Sequence, residues 1–190
     1  MSGFGMTRTE AVALLDQHVT SDQLKKHCLA SEVVMRRIAE RLGEDAETWG
    51  LVGLLHDIDF DQTKETPEKH TIVGAEILRG RGIPEEYVRA VISHNEATPG
   101  WTPRTERLHH ALACSEAVTG LVVATALVMP DRKLASVKPK SVRKRMNQAA
   151  FARNVDRGAI MECERLGVSV EDFCILAVEA MQSISDELGL

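Results

Sequence analysis

The stretch from Gly50 to Asp59, GLVGLLHDID, decides how this 190-residue chain is read. Four large apolar residues with two glycines form a run fit for burial, and the run stops abruptly at His56-Asp57. If the run is a helix, Asp57, Asp59 and Asp61 crowd its C-terminal end, where the backbone dipole already disfavours negative charge. A cation is expected there, either a metal ion or a nearby Lys or Arg. The adjacent histidine favours the metal, because imidazole nitrogen and carboxylate oxygen are the ligands of Zn, Mn and Fe sites.

Outward from this run the pattern is helical nearly throughout. Thr9 is read as the cap of a first helix reaching about His18. Ser21 opens a second, with Leu24, Cys28, Val34, Ile38 and Leu42 mostly four apart, ending at Gly43. A third covers Glu47 to about Ile58, followed by a polar loop, DFDQTKE (59–65). Thr66-Pro67-Glu68 reads as a cap and first turn of a helix ending near Gly80 or Gly82. Pro84 starts another, to about His94. EATPGWTPRTE (96–106) is a loop by its prolines and glycine. A long helix is expected over Thr105–Met129, where Pro130 stops it. After a loop at 133–140, helices are expected over 141–148, 156–166 and 170–188. No alternating run demands a strand, so the fold class is all-α. A soft division separates residues 1–130, the core, from 131–190, a helical cap packed on it.

Composition narrows the function classes. The chain is 44% hydrophobic and 27% charged, enough apolar surface to offset chain entropy. Aromatics are only 4%, so the core must be mostly Ala, Val, Leu and Ile. A net charge of −5 argues against gripping nucleic acid through the whole surface. The longest apolar stretch, Leu121–Met129, contains Thr125 and falls short of the ~20 residues of a crossing helix. The N-terminal sequence shows no secretion signal. Cys28, Cys114, Cys163 and Cys174 are widely spaced, without a CxxC pair, and read as reduced thiols of a cytoplasmic protein.

Partners for His56-Asp57 stand on other helices. His27 lies beside the apolar stripe of the second, His70 opens the fourth and His94 closes the fifth. Glu116 is mid-helix, with Leu112, Ala113, Thr119 and Gly120 three or four positions away. An unpaired carboxylate on that apolar face would cost several kcal/mol, so it must be protonated, paired or metal-bound. His109 and His110 are read as exposed or structural, and His18 has no partner signal.

The ordered set resembles the HD-domain metal-dependent phosphohydrolase superfamily, whose pattern is H…HD…H…H…D on consecutive core helices. Here it runs His27, His56-Asp57, His70, His94 and Glu116, with steps of 29, 14, 24 and 22 residues. HTIVGAEILRGRGIPEEYVRAVISHNE, ALACSEAVTGLVVA and KPKSVRKRMNQAAFARNVDR look like the matching stretches of small bacterial HDIG-type members. Two departures stand out. Glu116 replaces the usual final Asp, and HDID replaces HDIG. Asp59 either orients a ligand or a water, or is a solvated loop acid.

The resemblance implies an HD-domain helical bundle with His27, His56, Asp57, His70, His94 and Glu116 as metal ligands. His27, His56, Asp57 and Glu116 match the single-metal members. His70 and His94 add the second site of the two-metal members, in which the Asp57 position bridges. Two divalent ions outweigh two carboxylates and leave a positive centre that attracts phosphate, so two ions are expected; the ligands do not select among Fe, Mn, Mg and Zn. The implied activity is hydrolysis of a small phosphorylated metabolite or nucleotide by a metal-activated water, with Asp57 and Asp59 as catalytic residues. A di-iron oxygenase and a non-catalytic binding module remain as alternatives. Between 131 and 157 nine basic residues face two acids. Lys140, Lys144 and Arg157, in the family-like stretches, are expected to hold the substrate phosphate. Only Phe151 interleaves the charges, so a nucleic-acid surface ranks lower. A leftover apolar face would serve a homodimer; no membrane partner is expected.

Overall fold

Two well-capped helices set the frame. In the computed structural model, which describes residues 3–96, 98 and 100–190, Ser21 accepts the Leu24 N–H and opens α2 (Asp22–Leu42), and Gly43 ends it in the left-handed region at φ 73°. Asp45 accepts the Glu47 and Thr48 N–H groups and opens α3 (Ala46–Leu55), which is buried from Thr48 to Leu55. These helices pack side by side. The approach needs glycine: a Cβ at Gly53 would stand 2.9 Å from the Ser31 carbonyl oxygen and 2.8 Å from Met35 Cγ.

The remaining helices enclose this pair. α1 (Arg8–His18) packs on α3. After α4 (Phe60–Thr63), α5 (Ile72–Gly80) and α6 (Glu85–His94) pair with each other, and α6 leans on α7 (Arg107–Leu127). α7 lies along α2, and fourteen of its residues are buried. Beyond it, α8 (Pro139–Met146), α9 (Arg157–Met161), α10 (Val170–Gln182) and α11 (Ser185–Leu188) complete the chain. α9 packs on α7, α10 on both α2 and α7, and α8 on α10. Among the described residues there is no strand, and the all-α class is what the structure shows. α7 is long and apolar enough to cross a membrane by length and composition, a property hidden in the sequence by interspersed polar residues; 67% of its most apolar window is buried inside the bundle.

Several expected boundaries shift, each for a local reason. The first cap is Thr7 rather than Thr9, because Thr7 and Glu10 form a reciprocal capping box. α3 ends at Leu55 instead of Ile58, and part of the supposed loop at 59–65 is the short helix α4. The helix expected from Thr66 is broken: a 3-10 turn at Pro67–Lys69 is followed by Thr71 at φ 74°, and α5 starts only at Ile72. Asp59 explains the break, since its Oδ2 accepts the Thr71 and Gly74 N–H groups, both at 2.8 Å. A carboxylate from another segment thus caps α5 and fixes where it begins. The helix expected over 156–166 turns 3-10 after Met161, and that expected over 170–188 is interrupted after Gln182. Of the loop at 96–106, Ala97 and Pro99 lie outside the described residues, as do Met1 and Ser2 at the chain start.

Gly53→Ala should lower stability by about 1–3 kcal/mol through overpacking against the α2 backbone. In a chain of this size that is a fall of roughly 2–12 °C in Tm, measurable by differential scanning calorimetry. An unchanged Tm would show that the two helices separate at no cost.

Candidate metal centre

Four histidines from four parts of the fold point their Nε2 atoms at one carboxylate. His27 comes from α2, His56 caps the C-terminal end of α3, His70 sits in the break before α5, and His94 ends α6. Each ring is fixed through its other nitrogen. Nδ1–H of His56 donates to the Gly53 carbonyl oxygen (2.8 Å), and that of His94 to the Val91 carbonyl oxygen (2.6 Å). Nδ1–H of His70 donates to Asp59 Oδ1 (2.9 Å) and that of His27 to Thr119 Oγ1 (3.0 Å). The Thr119 hydroxyl donates its own hydrogen to the Glu116 carbonyl (2.7 Å), leaving a lone pair for His27. With every Nδ1 engaged, the Nε2 atoms are left to face inward, as metal-ligating imidazoles require.

Asp57 divides the rings into two groups. Its Oδ2 lies 3.6 Å from His27 Nε2 and 3.5 Å from His56 Nε2. Its Oδ1 lies 3.2 Å from His70 Nε2 and 3.3 Å from His94 Nε2. Within each group the two Nε2 atoms are 3.2 Å apart. Ligands about 2.1 Å from a common ion stand roughly 3.0–3.5 Å from one another, so both triads have the spacing of a coordination shell. The residues present therefore form two groups, His27, His56 and Asp57 and then Asp57, His70 and His94, each of which could hold a cation.

Electrostatics agree with this. Burial depresses His27 and takes His56 down to about 3, so both are neutral, with lone pairs opposed across 3.2 Å. Burial opposes the Asp57 charge, but His56, His70 and His94 outweigh it and hold the carboxyl well below its usual range. Burial likewise opposes charge on His70, yet its bonds to Asp57 and Asp59 hold the ring up to about 9. Without metal, a proton on His70 thus occupies the place a cation would take.

The family profile of the HD domain matches residues 24–120, just over half of the chain. The chain belongs to the HD-domain family. HD domains bind divalent metals and define a superfamily of metal-dependent hydrolases. Ribonuclease Y of Aquifex aeolicus is 31% identical over 153 residues, 80% of this chain and 27% of that protein. Ribonuclease Y of Thermosipho melanesiensis is 34% identical over 94 residues, 50% and 18% respectively. Ribonuclease Y of Salinispora arenicola is 26% identical over 163 residues, 86% and 28%. The HD chain thus matches little more than a quarter of these relatives at most. No solved structure matches.

The three acids that follow the HD histidine have separate duties. Asp57 faces the rings. Asp59 is fully buried and orients His70 while capping α5, and Gly74 is required beside it, since a Cβ there would stand 3.2 Å from the carboxyl carbon. Asp61 turns away, accepting the Thr20 and Ser21 N–H groups at 2.7 and 2.9 Å. Glu116 lies outside both triads of the described residues. Burial and the Asp57 charge push its carboxyl up to about 8, and it has no hydrogen-bond or ion-pair partner among those residues. Its place near the HD centre shows in this electrostatic coupling, not in a ligand contact.

The basic residues expected at the phosphate are spread out. Lys144 is exposed on α8, and Lys140 lines a groove with Lys138, Pro139, Arg143, Glu171 and Ile175. The Arg157 guanidinium donates to the carbonyls of Met146, Gln148, Phe151, Ala152 and Val155. Its donors hold the loop before α9. Arg104, given no role by sequence, donates to the Ser93 and His94 carbonyls at 3.0 and 3.1 Å and pairs with Glu162 at 2.6 Å, tying down the end of α6. His110 Nδ1–H donates to the same Glu162 (2.7 Å), His18 bonds Gln62 (3.0 Å), and His109 is buried in α7 outside the cluster.

Metal addition to metal-free protein at pH 7.5 should release about one proton, from His70. Apparent affinity should then rise about tenfold per pH unit and level off above about 9. Calorimetric titrations in buffers of different ionisation enthalpy read the proton count; zero release at pH 7.5 would contradict this charge state.

Proposed function

We propose that the protein is a metal-dependent phosphohydrolase of a small phosphorylated metabolite or nucleotide. The observation that carries this is the sharing of Asp57: each carboxylate oxygen faces its own pair of histidine nitrogens at 3.2–3.6 Å. When bound, divalent ions supply charge to hold a phosphoryl group and acidity to a water nucleophile. The chain supplies the rest. Asp57 spans the two positions, Gly53, Val91, Thr119 and Asp59 fix the rings, and buried helices exclude bulk water.

The site opens on the His27 side, where that side chain is 27% exposed against 1% for His56. A cavity of about 310 Å³ adjoins it, lined among others by Gln23, Lys26, Thr119, Val123 and Leu188. That volume is near the lower end for small-molecule pockets, roughly 300–1,000 Å³, which supports a compact substrate. An RNA phosphodiester is the second reading, favoured by relatives named ribonuclease Y.

Mn(II)-loaded protein should release phosphate from members of a phosphoester panel, and chelation should abolish the activity. His56→Ala and Asp57→Asn should each cut kcat/KM by at least about 100-fold, at or beyond the loss typical of changes just outside a metal shell. Cleavage of an RNA oligonucleotide with the panel inert would replace the first reading by the second. Oxygen uptake by iron-loaded protein without phosphate release would overturn both.

A further inference from the structure

The two halves of the centre are not built alike. The Asp57–His70–His94 half is backed by a carboxylate side chain, because His70 Nδ1–H donates to buried Asp59 at 2.9 Å. That carboxylate is held by two backbone N–H groups through its other oxygen, so it cannot swing away. The Asp57–His27–His56 half has only neutral support, from the Thr119 hydroxyl and the Gly53 carbonyl. Its ligand atoms also stand further from Asp57, at 3.5 and 3.6 Å against 3.2 and 3.3 Å. Solvent reaches this half through one ligand: the His27 side chain is 27% exposed, against 11% and 8% for His70 and His94, while His56 behind it is 1% exposed.

A carboxylate behind a metal-bound imidazole raises its donor strength and fixes its direction. Access to solvent on the other side makes an ion there easier to lose. Resting on the two-cation reading of the centre, we propose that the halves load in order. His70 and His94 with Asp57 Oδ1 hold the first divalent ion tightly. His27 and His56 with Asp57 Oδ2 hold a second, weaker and exchangeable ion on the side where the cavity opens. Asp59 is the positioning residue that creates the difference. One ion is then resident, and availability of the second sets whether the centre is complete.

Co(II) alone, added to metal-free protein, tests this through its visible absorption and by calorimetry, with no substrate present. Wild-type protein should bind in two steps. His27→Ala should lose the weak step and keep the tight one, and His70→Ala should lose the tight one. Asp59→Asn should weaken the tight step about 10–100-fold and alter its absorption bands, leaving the weak step within about twofold. Circular dichroism checks folding. Since Asp59 also caps α5, the two histidine variants decide the order on their own if Asp59→Asn unfolds. If one ion alone binds, its survival in His27→Ala and loss in His70→Ala supports the assignment. The reverse pattern, two equal steps or no binding at all would overturn it. Because nothing in this test depends on turnover, loss of the ordering leaves the hydrolase reading to stand or fall by phosphate release.

Discussion

Unshielded lone pairs brought face to face are the constraint around which this molecule is organised. His27 and His56 present neutral Nε2 atoms 3.2 Å apart, beside a carboxylate kept ionised. Left to themselves these groups would turn aside. They are prevented by a hydrogen bond at the back of every ring, and each of those bonds is anchored in helical backbone or in a side chain that is itself held. The energy spent on this convergence is recovered only when positive charge enters, whether a proton on His70 or a divalent ion.

The same economy runs through the scaffold. Gly53 lets α3 approach α2 and, through its carbonyl, aims His56, so one residue sets both a helix contact and a ring direction. Thr119 links His27 to α7 and Arg104 links the end of α6 to Glu162, so the long central helix and the segment after it both steady the histidines. Asp59 joins the loop after α3 to the start of α5. Disturbing any of these contacts would move a ring as well as a helix.

What could be read from sequence divides along the range of the interactions. Ser21, Gly43 and the four-residue apolar spacing act within a few residues, and they gave α2 closely. The His27, His56-Asp57, His70 and His94 series was legible because spacing along helices carries into space. The break at His70–Thr71 was not, since its cause is Asp59, eleven and twelve positions earlier and invisible to local propensity. Arg104 and Thr119 were missed for the same reason: a single Arg in a Pro-rich loop and a Thr in an apolar helix carry no local mark of their distant partners. Lys140, Lys144 and Arg157 show the converse. Charge density in sequence flagged them together, yet Arg157 spends its donors on backbone carbonyls while the two lysines lie on α8.

The loop after α6 carries a further consequence. Trp101 donates its indole N–H to the Ser93 carbonyl, the same oxygen that Arg104 grips and one residue from His94. The chain has only two tryptophans, and the other, Trp49, is buried in α3. A shift of the α6 terminus therefore changes the surroundings of one chromophore directly, which gives the protein an intrinsic fluorescent gauge beside its inorganic chemistry.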